Sequence, residues 1–232
     1  MNTYKKIKAL IDKELHEIEV DYPCLHYRET DGKIVLEGEI RFNLKCMSVG
    51  EQIQDAYLIQ ICIPEDYPDN PPIAKEIGGK IADNFHKSKD SILCLDVPMR
   101  VHMIFRENPS LKHFIRELLE PYLYCHSYWK KHNGEMPFGY WAHYGEGILD
   151  AYSEYFGVEN REAIIDFLKL LSARNYKQNI LCPCGKGLKI KKCHGKKFLQ
   201  IYNMVPDKVF SDELEQARTW LYGMKYKSHY FT

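Results

Sequence analysis

The sequence predicts an α+β fold, in which one amphipathic helix and an antiparallel meander come first and further helices follow. Three observations carry that expectation. Tyr4, Ile7, Ile11, Leu15 and Ile18 recur at helical spacing. Two later runs alternate with a period of two, and several apolar stripes at helical spacing fill the second half of the chain.

The elements follow in order. In "YRETDGKIVLEGEIRFN", Asp31-Gly32 is a favoured hairpin dipeptide, and Ile34, Leu36, Ile40 and Phe42 alternate with Val35, Glu37, Glu39 and Arg41. In "AYLIQICIPEDYP", Tyr57, Ile59, Ile61 and Ile63 share one face. Four prolines in the nine residues of "PEDYPDNPP" remove backbone donors and must end the sheet. The segment "IAKEIGGKIADNFHKSKDS" reads as structureless and leads to Cys94. Asn108-Pro109 then reads as cap and first turn of a helix striped by Leu111, Phe114, Ile115, Leu118 and Tyr122. Residues 126–147 are dense in aromatics and histidines without a period. Trp129, Tyr140 and Trp141 are expected to pack there, and His126, His132 and His143 have no ligand spacing. One helix is expected through Leu149, Tyr152 and Phe156, closed by Gly157. A second is capped by Asn160, and a last begins near Ser211 with Gly223 past its end.

Composition limits the functions open to such a chain. Its 232 residues are enough to bury a core without staples, and 45% hydrophobic content is that of a globular protein. The 32 basic and 32 acidic side chains cancel, so no global field draws it to nucleic acid or membrane. No segment reaches the ~18 consecutive apolar residues of a spanning helix, and the N-terminus lacks the continuous apolar core of a signal peptide. A cytoplasmic protein is the expectation.

Two cysteine features carry the chemistry. Cys94, in "FHKSKDSILCLDVPM", sits in a connection between meander and helix. Taken alone it reads as core filler, metal ligand or nucleophile. The order helix, meander, "YPDNPP", long loop, "SILCLD", helix resembles the core of a ubiquitin-conjugating enzyme over roughly the first half of the chain. That family's usual pattern is Tyr-Pro-x-x-Pro-Pro, His-Pro-Asn, then Ile-Cys-Leu-Asp. Here "Asn-Phe-His" replaces His-Pro-Asn, His86 stands where the Asn is expected eight residues before the cysteine, and the usual Trp-Ser-Pro is absent. The resemblance is to a divergent bacterial member.

What the resemblance implies is a UBC-like, four-stranded antiparallel meander flanked by helices, with Cys94 as the thioester-forming nucleophile. His86 would donate to the tetrahedral intermediate or hold the loop. Asp96 would orient the loop or lower the pKa of an attacking lysine. The implied partners are an adenylating activating enzyme, a ubiquitin-like modifier or a nucleotidyltransferase C-terminal tail, and an acceptor protein, in an operon of the antiphage CBASS type. Three other readings stand beside it: a catalytically inactive UBC-fold binding module, a cysteine hydrolase with His86 as base, and a nucleic-acid binder using the lysine-rich cluster.

The second feature is "CPCGKGLKIKKCHG". Cys182, Cys184, Cys193 and His194 supply three thiolates and one imidazole, a closed tetrahedral zinc shell of the structural kind. Gly185 and Gly187 permit the tight turn, and the spacing resembles the SEC-C motif. Zinc with three thiolates carries about one negative charge, and Lys186, Lys189, Lys191, Lys192, Lys196 and Lys197 surround it. The lysines lack interleaved aromatics, which argues for docking a protein rather than nucleic acid. The expected organisation is a UBC-like domain over 1–125, an aromatic-rich helical extension over 126–176, a SEC-C zinc motif over 177–200 and a C-terminal helical segment over 201–232.

Overall fold

A computed structural model describes residues 3–30, 32–138, 142 and 144–228. Tyr140, Trp141 and His143 lie outside the described residues. The chain divides into two compact units, one of residues 1–96 with 104–140 and one of 97–103 with 141–232.

The first unit is α+β. Helix α1 (Thr3–Ile18) precedes a four-stranded antiparallel sheet of order β1-β2-β3-β4, formed by β1 (His26–Thr30), β2 (Lys33–Lys45), β3 (Gln52–Cys62) and β4 (Ile73–Glu76). The period of two sets the burial. Ile34, Leu36, Ile40 and Phe42 of β2 and Tyr57, Ile59 and Ile61 of β3 are all buried, while Leu58 is exposed. Val35, placed on the other face by alternation, is buried as well. The register pairs Leu36 with Ile61 and Ile40 with Tyr57, so buried residues meet across the two longest strands.

Helix α2 (Pro98–Glu107) is followed by α3 (Leu111–Phe114), a π-helical turn over Ile115–Leu119 and α4 (Glu120–Lys131). Helix α3 packs on α1, and α4 on β3. The cap of α3 is Ser110, whose Oγ accepts from His113 N at 3.3 Å, and not the expected Asn108. Helix α4 passes without a break through residue 125, where the sequence suggests a boundary.

Three more expectations are corrected. The segment expected to be structureless contains β4. Helix α2 stands where no helix is expected, with Met99 and Phe105 fully buried and Val101, Met103 and Ile104 half-buried. The last helix, α8 (Asp207–Ser228), starts four residues earlier than Ser211 and includes Gly223, an exposed position where glycine weakens a helix without ending it.

The second unit is helical. It contains α5 (Tyr144–Phe156), α6 (Arg161–Ser172), α7 (Gly195–Met204) and α8, with α8 packed on both α5 and α6. Gly157 ends α5 with φ of 69°, and Asn160 Oδ1 caps α6 by accepting from Ala163 N at 2.8 Å. Phe156 and Phe167 stack at 4.1 Å in the centre of its core, and the buried Glu213 accepts from Tyr152 Oη at 2.6 Å and Met99 N at 2.8 Å. Among the described residues no helix is long and apolar enough to cross a membrane.

Candidate active site and metal centre

The loop carrying Cys94 is a short hairpin appended to the sheet. Isolated bridges pair Lys87 with Leu93 and Lys75 with Ile92, and Leu93 N donates to Ala74 O at 2.9 Å. That folding-back brings two of the expected site residues together: Cys94 N donates to His86 O at 2.8 Å. Cys94 is exposed and outside any regular element, and Asp96 is exposed two residues on. The loops around the Cys94 sulfur desolvate it and push the thiol above its ordinary range.

One anchor holds the proline-rich turn and a second holds this hairpin. Tyr67 of the proline-rich turn is buried, and its hydroxyl donates to Glu14 Oε2 at 2.6 Å. The same carboxylate accepts from Leu111 N at 2.7 Å, tying α1, the turn and the start of α3 together. Burial raises the Glu14 carboxyl above the usual range. The second anchor is Phe85, buried beside His86 with Tyr122, His126 and Trp129 at ring distances of 5.5, 4.8 and 5.3 Å. Trp129 thus packs inside the first unit. Tyr122 Oη donates to His86 O at 3.1 Å and to Phe85 O at 3.3 Å.

Behind Phe85 lies a buried polar network that sequence reasoning missed. Tyr57 Oη contacts His126 Nδ1 at 2.7 Å and Ser127 Oγ at 2.6 Å, and Ser127 Oγ donates to Asp55 Oδ2 at 2.8 Å. Lys80 pairs with Asp55, donates to Ala56 O at 2.8 Å and sits 4.2 Å above the Tyr57 ring. The residues come from β3, the loop after β4 and α4, far apart in sequence, so no local motif marks them.

His126 makes this network sensitive to acid. Burial, seconded by Lys130 and Lys80, lowers its pKa to about 4, so it folds as the neutral ring. Unfolded, with a pKa near 6.5, it takes up a proton that the native state refuses. Stability from this group is therefore present above about pH 6.5 and is lost as pH falls toward 4. The expected cost is about 2 kcal/mol between pH 7 and 5. Urea unfolding of the wild type should show that loss relative to His126→Gln, because buried carboxylates such as Glu14 and Glu120 titrate equally in both. Parallel pH dependences in the two proteins would remove His126 as the cause.

The candidate metal centre lies in the second unit. Cys182 N donates to Leu188 O at 2.8 Å, closing a knuckle in which Gly185 and Gly187 adopt φ of 79° and 72°. A 3₁₀ turn, Ile190–Lys192, then delivers Cys193 and His194 to the start of α7. Ligand atoms of Cys182, Cys184, Cys193 and His194 all lie within 4.8 Å of one another. His194 Nδ1 is 3.2 Å from the sulfurs of both Cys182 and Cys193, and Cys184 Sγ is 3.5 Å from Cys193 Sγ. A tetrahedral shell with metal–sulfur distances near 2.3 Å needs neighbouring sulfurs about 3.8 Å apart. The four residues therefore fit one metal ion and could bind it with little movement.

The surroundings orient those ligands. The His194 ring meets the Phe156 and Phe167 rings edge-on at 6.0 and 5.5 Å and bonds the Phe156 backbone. Cys182 and Ile190 are buried in the same core cluster as those phenylalanines. All four expected ligands are thus brought together.

Comparison of the chain with protein-family models, curated proteins and solved structures returned no match.

Proposed function

We propose that this protein is a divergent ubiquitin-conjugating-like acyl carrier with a structural zinc knuckle of the SEC-C kind. The observation that carries the reading is Cys94: an exposed thiol on a hairpin whose backbone is bonded to His86, in a unit whose proline-rich turn is pinned by Glu14. In thioester exchange the Cys94 thiolate attacks the acyl carbonyl of an activating-enzyme thioester. A new carbon–sulfur bond forms, the old one breaks, and the leaving thiolate recovers a proton from solvent. An acceptor amine then attacks the new thioester and releases Cys94.

The raised thiol argues against the hydrolase reading. A cysteine hydrolase needs a thiolate lowered by an adjacent base, whereas burial pushes the Cys94 thiol up. His86 would act on the tetrahedral intermediate or fix the loop, and Asp96 would act on the incoming amine. Zinc suits the second site because three thiolates and one imidazole close its shell with no position left for water. The modifier, or a nucleotidyltransferase tail in a CBASS-type operon, follows from the family resemblance.

The test combines the protein with ATP, an adenylating activating enzyme and a ubiquitin-like modifier. A reductant-sensitive adduct is expected, absent in Cys94→Ala and retained in Cys46→Ala. A folded, metal-loaded protein that forms no adduct with a competent activating enzyme would leave the inactive binding module as the better account.

A further inference from the structure

We propose that Tyr122 is a positioning residue for Cys94, acting through the His86 carbonyl that both of them hold; this rests on the thioester reading above. Three observations converge on that carbonyl. It accepts from Cys94 N at 2.8 Å and from Tyr122 Oη at 3.1 Å, which fills both of its lone pairs. His86 has φ of 28°, a left-handed conformation that a residue with a Cβ keeps only when its neighbours enforce it. Tyr122 is buried, and its ring packs at 5.5 Å on Phe85, whose carbonyl its hydroxyl also reaches at 3.3 Å.

The phenol is therefore a fixed point on α4 to which the strained residue is tied. Freed of that tie, His86 can relax toward negative φ, and its peptide plane turns. The turn carries away the acceptor that holds the Cys94 backbone, so the sulfur loses its fixed direction of approach. Cys94 N is already committed to His86, so it does not serve as an oxyanion donor.

Tyr122→Phe tests this because it keeps the ring and its packing on Phe85 and deletes only the hydroxyl. Two probes of the full-length protein separate positioning from loosening. A small acyl thioester, the mercaptoethanesulfonate ester of acetylglycine, requires directed attack and a stabilised tetrahedral intermediate. Iodoacetamide requires only an accessible thiolate. With both adducts located on Cys94 by mass spectrometry, acyl transfer is expected to slow about tenfold in Tyr122→Phe while alkylation changes less than about twofold.

Equal acyl-transfer rates in variant and wild type would overturn the assignment. So would a matched fall in both reactions, which would mean a loosened loop. Failure of the thioester reading itself would look different: wild-type Cys94 would alkylate normally and never take the acyl group.

Discussion

Removing the zinc proposed for the Cys182, Cys184, Cys193 and His194 cluster is expected to lower the melting temperature of the second unit by roughly 15 °C or more. Structural zinc contributes on the order of 10 kcal/mol where a module has no fold without it. This unit has a core of its own on α5, α6 and α8, so the expected loss is smaller, several kcal/mol. At about 4–8 °C per kcal/mol for a unit of this size, the shift is large. The loss reaches the core because the ligands are part of it: Cys182 is buried, and His194 stands edge-on to the stacked pair Phe156 and Phe167. Without the ion, three thiols and a ring that packing has gathered within 4.8 Å of one another have no common partner. Thermal unfolding with and without a strong chelator, alongside measured zinc content, reads the effect. Added zinc should restore it, Cys193→Ser should reproduce it, and Cys94→Ala should leave it intact. A metal-free protein that melts at the same temperature would reduce the knuckle to an accessory of the core.

The sequence showed those parts of the molecule whose partners are close along the chain. Alternation in β2 and β3, the Asn160 cap and the four clustered ligands are all local, and each is where its spacing placed it. Interactions across long separations were not legible. Glu14 meets Leu111 across 97 positions, Tyr22 meets Glu120 across 98, and Tyr57 meets His126 across 69. At the sequence level Glu14 is one more charge on a helix, and Tyr122 is one more apolar stripe position. The spacing of His86 and Cys94 showed that they are eight residues apart; the hairpin that turns this into a backbone contact has no strong turn dipeptide. Helix α2, only ten residues long, is too short to stand out as a pattern.

The same limit applies to glycine, where the sequence gives the residue and only the fold gives its reason. Gly38 lies mid-strand in β2, paired with Ile59, where glycine is ordinarily a weakness. The chain entering β1 crosses directly over it: a Cβ at this position would lie 1.8 Å from the Cys24 carbonyl oxygen and 2.9 Å from Leu25 Cα. Both obstacles are backbone, so no side-chain rotation relieves them. Gly38→Ala must displace either the 24–25 crossing, with buried Tyr22 and Leu25 on either side of Cys24, or the register of β1 on β2. A loss of about 3 kcal/mol or more is expected, at the upper end of overpacking costs. Gly32 provides the control. It has φ of 72°, and a Cβ there would have nothing within 4 Å, so Gly32→Ala meets only conformational strain, about 1–2 kcal/mol. Urea unfolding of both variants separates steric from conformational demand. If Gly38→Ala costs no more than Gly32→Ala, then the crossing over β2 yields easily, and the tight approach of Cys24 is not what keeps glycine there.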